Sequence, residues 1–409
     1  MKVYYLLSIA LSFCAILGYF NARYMKLPTT IAIMTGSLLL SLLIILIGKH
    51  GFSRFEYKIV QSVASLNFYS LLMQGMLSFL LFAGALTVNV NHLKKCKWEV
   101  ITLATFSTVA STLIIAALCY WLLPVQIPFI YCLLFGALIS PTDPIAVLAI
   151  FKEVKVHPRL NITVAGESLF NDGVGIVLFL TIYQVAFMKV SPTLLSITNL
   201  FIRESLGGIL FGVILGLVGY HMINSVKNTK VEILITLAMA TGGYALANAM
   251  GLSGPLAMVA SGIFIGNKGR DFSINKKARI NLDNFWEMID EVLNAMLFFL
   301  MGIELVLISH SYTSIFVGFI SILLVLLARF ITVATPIALF KRRKKYPPHF
   351  IKIIVWGGLR GGLAVALALS LPESSYRSLV LTMTYSVVIF SVIFQGLTMK
   401  SLVKASNNN

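Results

Sequence analysis

Thirteen apolar runs, each about as long as a bilayer is thick, dominate this chain. They fall near 3–22, 28–48, 66–90, 99–123, 126–151, 162–187, 204–223, 231–249, 252–266, 284–308, 312–340, 350–371 and 375–399. A helix needs about 20 mostly apolar residues to cross the hydrocarbon core. Within that core every backbone polar group must find its partner inside the protein. The expectation is an all-α polytopic membrane protein, with residues 1–409 forming a single transmembrane domain. Composition agrees: 58% of residues are hydrophobic and 11% charged, against about 45–50% and about 25% in soluble domains. The N-terminal run resembles a signal peptide, but it is long and lacks a clear A-x-A site, so it reads as the first span.

The net charge of +17 does not point to nucleic acid, because no loop is long enough to carry a soluble basic domain. With thirteen spans, 23 of the 32 Lys and Arg lie on one side and 7 on the other, while Arg329 and Arg360 lie within spans. The positive-inside rule makes the richer side cytoplasmic, with the N-terminus outside and the C-terminus inside. Cys14, Cys96, Cys119 and Cys132 show no metal or redox spacing, and the six histidines fall at or near span ends. A transition-metal centre is therefore not expected.

Two spans are broken. Pro141 and Pro144 in "SPTDP" interrupt the fifth. Gly357, Gly358, Gly361 and Gly362 surround Arg360 in "GGLRGG" and weaken the twelfth. The breaks are seven spans apart, and an odd offset gives them opposite directions. That is the pattern of inverted repeats whose discontinuous helices meet at a midplane site. Thr142 or Asp143 can cap the second half of the first broken helix, with Pro144 at its first position. Arg360 can offset the negative end of the broken partner.

The sixth span carries "GESLFND". Glu167 with Asn171, and Ser168 with Asp172, are four apart, so all four share one helix stripe. Such oxygen donors suit a hard cation. Glu167 and Arg360 are read as an ion pair that cancels both charges, which leaves Asp172 as the uncompensated carboxylate. A bare carboxylate in a closed site of low dielectric is costly. Such a site closes only when Asp172 holds a proton or a cation. That rule enforces exchange of one for the other.

With these motifs, the chain resembles the monovalent cation:proton antiporter family, which includes eukaryotic sodium/hydrogen exchangers and bacterial NhaP proteins. "PTDP" (141–144), "GESLFND" (166–172), "FWEMIDEVLNAMLFFLMGIEL" (285–305) and "GGLRGGL" (357–363) occur in family order, and the match covers essentially the whole chain. The resemblance implies the crossed-helix antiporter fold, homodimers and elevator-type exchange. It implies ion ligands at Asp172, Ser168 and Glu167 with the Thr142 backbone, supported by Asn171 and Asp143. It also implies a bacterial inner-membrane location. Electrogenic relatives carry Asp where this chain has Asn171, which points to one-for-one, electroneutral exchange. Ala83 stands where many relatives carry Glu, which leaves the preferred cation open among Na⁺, Li⁺ and K⁺. Na⁺ is the first reading and K⁺/H⁺ exchange the alternative. No cofactor is expected beyond the transported ions.

Glu287, Asp290 and Glu291 form either a cation-attracting funnel, a pH-sensing patch or a solvated helix end. Asn294 is a candidate cap for a broken backbone, and Arg329 and Glu304 read as structural. Two rival classes remain. "GLSG" (251–254) matches an intramembrane protease motif, but that chemistry needs a buried histidine on a nearby span as its base, and the only later histidines, His310 and His349, lie in loops. A passive cation channel would carry current, which an electroneutral exchanger does not.

Overall fold

The computed structural model describes residues 2–50, 53–64, 67–187, 194–226, 228–271, 276–305, 312–342, 344 and 346–407. Its regular elements are all helical, and each of the thirteen expected spans coincides with a helix or a broken helix pair. Nine helices among the described residues are long and apolar enough to cross a bilayer. The other four fail for informative reasons. Two are the broken spans, one (Gly254–Asp271) is short in apolar length, and one (Lys276–Glu304) carries Glu287, Asp290 and Glu291. The end of the 284–308 span lies outside the described residues. A short helix at Ser53–Ala64 was not among the expected spans; its polar Arg54, Lys58 and Gln61 keep it from reading as one.

The helices pack as two units. One gathers Lys2–Phe20, Thr29–Lys49, Leu77–Thr87, Leu194–Ser225, the 229–249 segment, Gly254–Asp271 and Lys276–Glu304. We call this the scaffold. The other gathers two sets of three segments, each continuous, broken, continuous. The first set is Lys97–Leu122, the pair Phe129–Ile139 and Ile145–Val154, and Pro158–Phe187. The second is Tyr312–Lys341, the pair Phe350–Trp356 and Gly362–Leu369, and the segment from Ser375 to Asn407. This is the core unit, and the two breaks cross at its centre. The Asp143 N–H donates to the Leu359 carbonyl at 2.8 Å in an antiparallel bridge.

A helix end in lipid leaves donors and acceptors that must be satisfied locally. The Arg360 guanidinium donates to the Ser140 carbonyl and, at 2.7 Å, to the Pro141 carbonyl. The Asp143 carboxylate accepts from the Ile145 N–H at 2.9 Å, so of the two expected caps Asp143 is the one that serves. On the other break, Ser391 Oγ accepts from the Arg360 N–H at 3.0 Å, and Gln395 Nε2 donates to the Trp356 carbonyl at 3.1 Å. Ser391 and Gln395 both lie on a π turn, Phe390–Gln395, that turns them toward the break.

The glycines of the second break make room rather than adopt left-handed backbone. Positive φ at a described glycine occurs at Gly251, not here. A Cβ on Gly361 would lie 2.2 Å from Asp143 Oδ2, and one on Gly358 would lie 2.7 Å from Arg329 Nε. From the opposite side, a Cβ on Gly175 would meet Pro141 Cγ at 2.1 Å. Gly361→Ala is therefore expected to cost about 1–3 kcal/mol through overpacking. A thermal unfolding midpoint several degrees lower than wild type would show it. Gly242→Ala, where a Cβ would meet nothing within 4 Å, is expected to leave the midpoint unchanged.

Candidate functional site

The Pro158–Phe187 helix begins with Pro at its first position and is 30 residues long, passing the crossing point. Its polar stripe faces the first break. Asn171 clasps Thr142 twice: Oδ1 accepts from the Thr142 N–H at 3.2 Å, and Nδ2 donates to Thr142 Oγ1 at 2.9 Å. Ser168 Oγ lies 3.0 Å from Thr142 Oγ1. Glu167, Ser168, Asn171 and Thr142 are all buried, each exposed by 2% or less.

The ion pair differs from the sequence expectation. Glu167 is paired with Arg329, whose Nη1 donates to Glu167 Oε1, and not with Arg360. Arg360 instead spends its guanidinium on the two carbonyls that end the Phe129–Ile139 half-helix. This is the dipole-offsetting role the sequence also suggested. Arg329 donates through Nη2 to the Ile354 carbonyl at 3.3 Å as well, so it ties the carboxylate helix to the end of the second broken helix. The missed signal was available: Arg329 and Arg360 are both within spans, and each needed its own partner. The Arg329 contact leaves Glu167 only Oε2 to offer an ion.

Asp172 has no such tie. It is half-buried, and among the described residues it has no hydrogen-bond or ion-pair partner. Asp143 is also half-buried and close enough to act electrostatically on Asp172. Thr142 touches Ser168, Ser168 and Asp172 share one helix stripe, and Asp143 lies within electrostatic reach of Asp172, so all four oxygen-bearing side chains lie beside the crossed breaks. No groups of three or more His, Cys, Asp or Glu occur among the described residues in a metal-holding arrangement. The donor set is hydroxyl and carboxylate oxygen, which suits a weakly held alkali cation better than a resident transition metal.

Of the acidic trio on the scaffold, Glu287 and Glu291 are exposed, and Glu287 lies 3.9 Å from Lys152. Asp290 is half-buried and within electrostatic reach of Asp143. Asn294 caps no backbone, contrary to the sequence expectation. Its amide is buried and neither Nδ2 nor Oδ1 makes a hydrogen bond within the described protein. Ala83 is buried in the scaffold and adds no charge. Sequence reasoning also missed a buried cluster at the basic face. The Glu99 carboxylate, fully enclosed, accepts from Arg159, from Lys344 Nζ at 3.0 Å and from the Tyr346 hydroxyl at 3.0 Å. It staples the starts of the Lys97–Leu122 and Pro158–Phe187 segments to the loop before Phe350.

The chain matches the family described as sodium/hydrogen exchanger, transmembrane, over residues 9–405. It is 42% identical to the Na(+)/H(+) antiporter NhaP of Pseudomonas aeruginosa, over 95% of this chain and 93% of that protein. It belongs to the sodium/hydrogen exchanger family. Within that family it sits on the bacterial NhaP-like branch. It is also 34% identical to the Na(+)/H(+) antiporter NhaH of Halobacillus dabanensis, over 99% of this chain and 97% of that one. Its fold matches that of the sodium proton antiporter MjNhaP1 from Methanocaldococcus jannaschii, with a TM-score of 0.77 at 19% identity and full coverage of both chains. This exchanger-family chain is an integral membrane protein of the crossed-helix antiporter fold, and its family is one of transporters rather than enzymes.

Proposed function

We propose that the chain exchanges Na⁺ for H⁺ across a bacterial inner membrane, one for one. The observation that carries this reading is the state of Asp172: a carboxylate beside the crossed breaks with no cationic partner among the described residues, while the charges of Glu167 and Arg360 beside it are already met. Glu167 has Arg329. Arg360 faces two carbonyls and the negative end of a half-helix. An ion taken by Asp172 restores neutrality in a medium where a bare charge is costly, and so does a proton. A site that moves only when neutral carries one or the other in each direction. The relatives named above as Na(+)/H(+) antiporters support Na⁺ as the cation.

Alternating access fits the two-unit packing. Where the units touch, glycines flatten the contact. A Cβ on Gly173 would lie 2.4 Å from Leu256, one on Gly362 2.5 Å from Leu297, and one on Gly396 2.9 Å from Ile31. In each case a core glycine faces a scaffold aliphatic. Such a surface has few interlocking side chains to oppose sliding. The core unit, carrying Asp172, moves against the scaffold, which supplies the contacts of a homodimer. The basic face is cytoplasmic, with the N-terminus outside.

The test is Na⁺-driven proton flux in proteoliposomes, with Li⁺ and K⁺ for comparison. Asn171 is uncharged and held to Thr142 through both amide atoms, so the loaded site has the same net charge with either ion. An imposed potential acts on moved charge at about 2.3 kcal/mol per charge per 100 mV. Exchange is therefore expected to run at the same rate with and without it. Sodium uptake driven by a potential alone would overturn the one-for-one reading. Absence of cation-driven proton flux would overturn exchange itself.

A further inference from the structure

We propose that Asp290 and Asn294 form a second cation site, a waiting site on the scaffold that loads Asp172 from the basic face only. The inference rests on the exchange reading above and adds a place where the cation rests before reaching the transported site.

Asp290, Asn294 and Leu297 are spaced i, i+4, i+7 on the Lys276–Glu304 helix, so they share one face. Two contacts fix where that face points. Leu297 meets Gly362 at the start of the second half-helix, beside Gly361, which abuts the Asp143 carboxylate. Asp290 itself lies within electrostatic reach of Asp143. The stripe therefore looks across the unit boundary at the first break.

An acidic cluster at a helix end needs no ligand to explain it. Asn294 does. It is 2% exposed, and neither Nδ2 nor Oδ1 has a partner within hydrogen-bond distance and angle among the described residues, although the amide is near enough to Asp290 to stabilise its carboxylate. Both its donor and its acceptor are unspent. Buried polar atoms are nearly always paired, and one left unpaired costs stability. A carboxylate and an amide oxygen one helical turn apart are a suitable pair of ligands for an alkali cation that keeps part of its hydration shell. Glu287 and Glu291, exposed beside them, raise the local cation concentration.

The position of this pair on the scaffold has a kinetic consequence. The transported site travels with the core unit, and the waiting site does not. Asp290 lies within electrostatic reach of Asp143 in the arrangement seen here. When the core unit moves away, the waiting site is left behind. Its loss slows loading from one face and leaves loading from the other untouched. Because it precedes the transported site, the overall equilibrium stays fixed by the ion gradients.

The experiment compares everted and right-side-out membrane vesicles, measuring the apparent KM for Na⁺ from each face by proton flux. Asn294→Leu and Asp290→Asn are each expected to raise the KM at the basic face five- to tenfold. At the opposite face the KM should stay within twofold. Asn294→Leu also removes an unpaired buried amide, so its unfolding midpoint should equal or exceed that of wild type; Asn294→Ser serves if the Leu variant does not accumulate. Equal KM shifts at both faces, no shift at either, or a lower midpoint with unchanged KM would each overturn the waiting site. A wild type with no Na⁺-driven flux in either vesicle would instead overturn the exchange reading.

Discussion

Asp172→Asn is expected to reduce cation-driven proton flux to the level of empty liposomes while leaving a folded protein. Asn cannot carry the negative charge that makes occupation by Na⁺ or H⁺ compulsory. Folding should survive because Asp172 has no hydrogen-bond or ion-pair partner among the described residues to lose. Removal of an unpaired charge from a half-buried site is neutral or stabilising. A readout independent of transport separates the two effects. A ligand that binds only the folded state stabilises it by RT ln(1 + [L]/Kd), about 2.7 kcal/mol at a hundred times Kd. Wild-type protein should melt higher in saturating NaCl than in an equal concentration of choline chloride, and the variant should not. Retained flux in Asp172→Asn would place the transported ion on Asp143, whose Oδ2 is not used in capping Ile145.

The sequence made the architecture legible because a membrane spanning segment is a statement about length and composition, and both are local. The two breaks were legible for the same reason: Pro141 and Pro144 cannot be read as continuous helix, nor can four glycines in six residues. The stripe of Glu167, Ser168, Asn171 and Asp172 followed from the helical repeat. What stayed hidden depends on which helix crosses which. Arg329 and Arg360 are equally basic and both within spans; only the crossing geometry places one beside Glu167 and the other over the Ser140 carbonyl. The Glu99 staple is hidden likewise, since Arg159 and Lys344 lie 60 and 245 residues away. Asn294 shows the opposite case. Its depth was readable, but its want of a partner appears only when the surrounding atoms are in place.

The reassigned ion pair has the largest expected effect on stability. Removing one member of a buried pair strands the other charge, at about 3–5 kcal/mol. Glu167→Gln leaves the Arg329 guanidinium, among the described residues, with only the Ile354 carbonyl, and its Nε already lacks a partner there. Arg329→Gln leaves a further uncompensated carboxylate, Glu167, next to Ser168. Each single variant should melt far below wild type, and the double variant should recover a large part of the loss. Mutations at independent sites add to within about 0.5 kcal/mol, so a coupling well above that is the signature of direct pairing. Glu167→Gln combined with Arg360→Gln is the control. Arg360 serves the Ser140 and Pro141 carbonyls, and their loss is not relieved by neutralising Glu167. That double variant should show nearly additive losses. Arg329→Lys should fall short of wild type too. An ammonium group has no planar fork with which to hold Glu167 and the Ile354 carbonyl at once. A coupling as large between Glu167 and Arg360 as between Glu167 and Arg329 would restore the pairing that the sequence alone suggested.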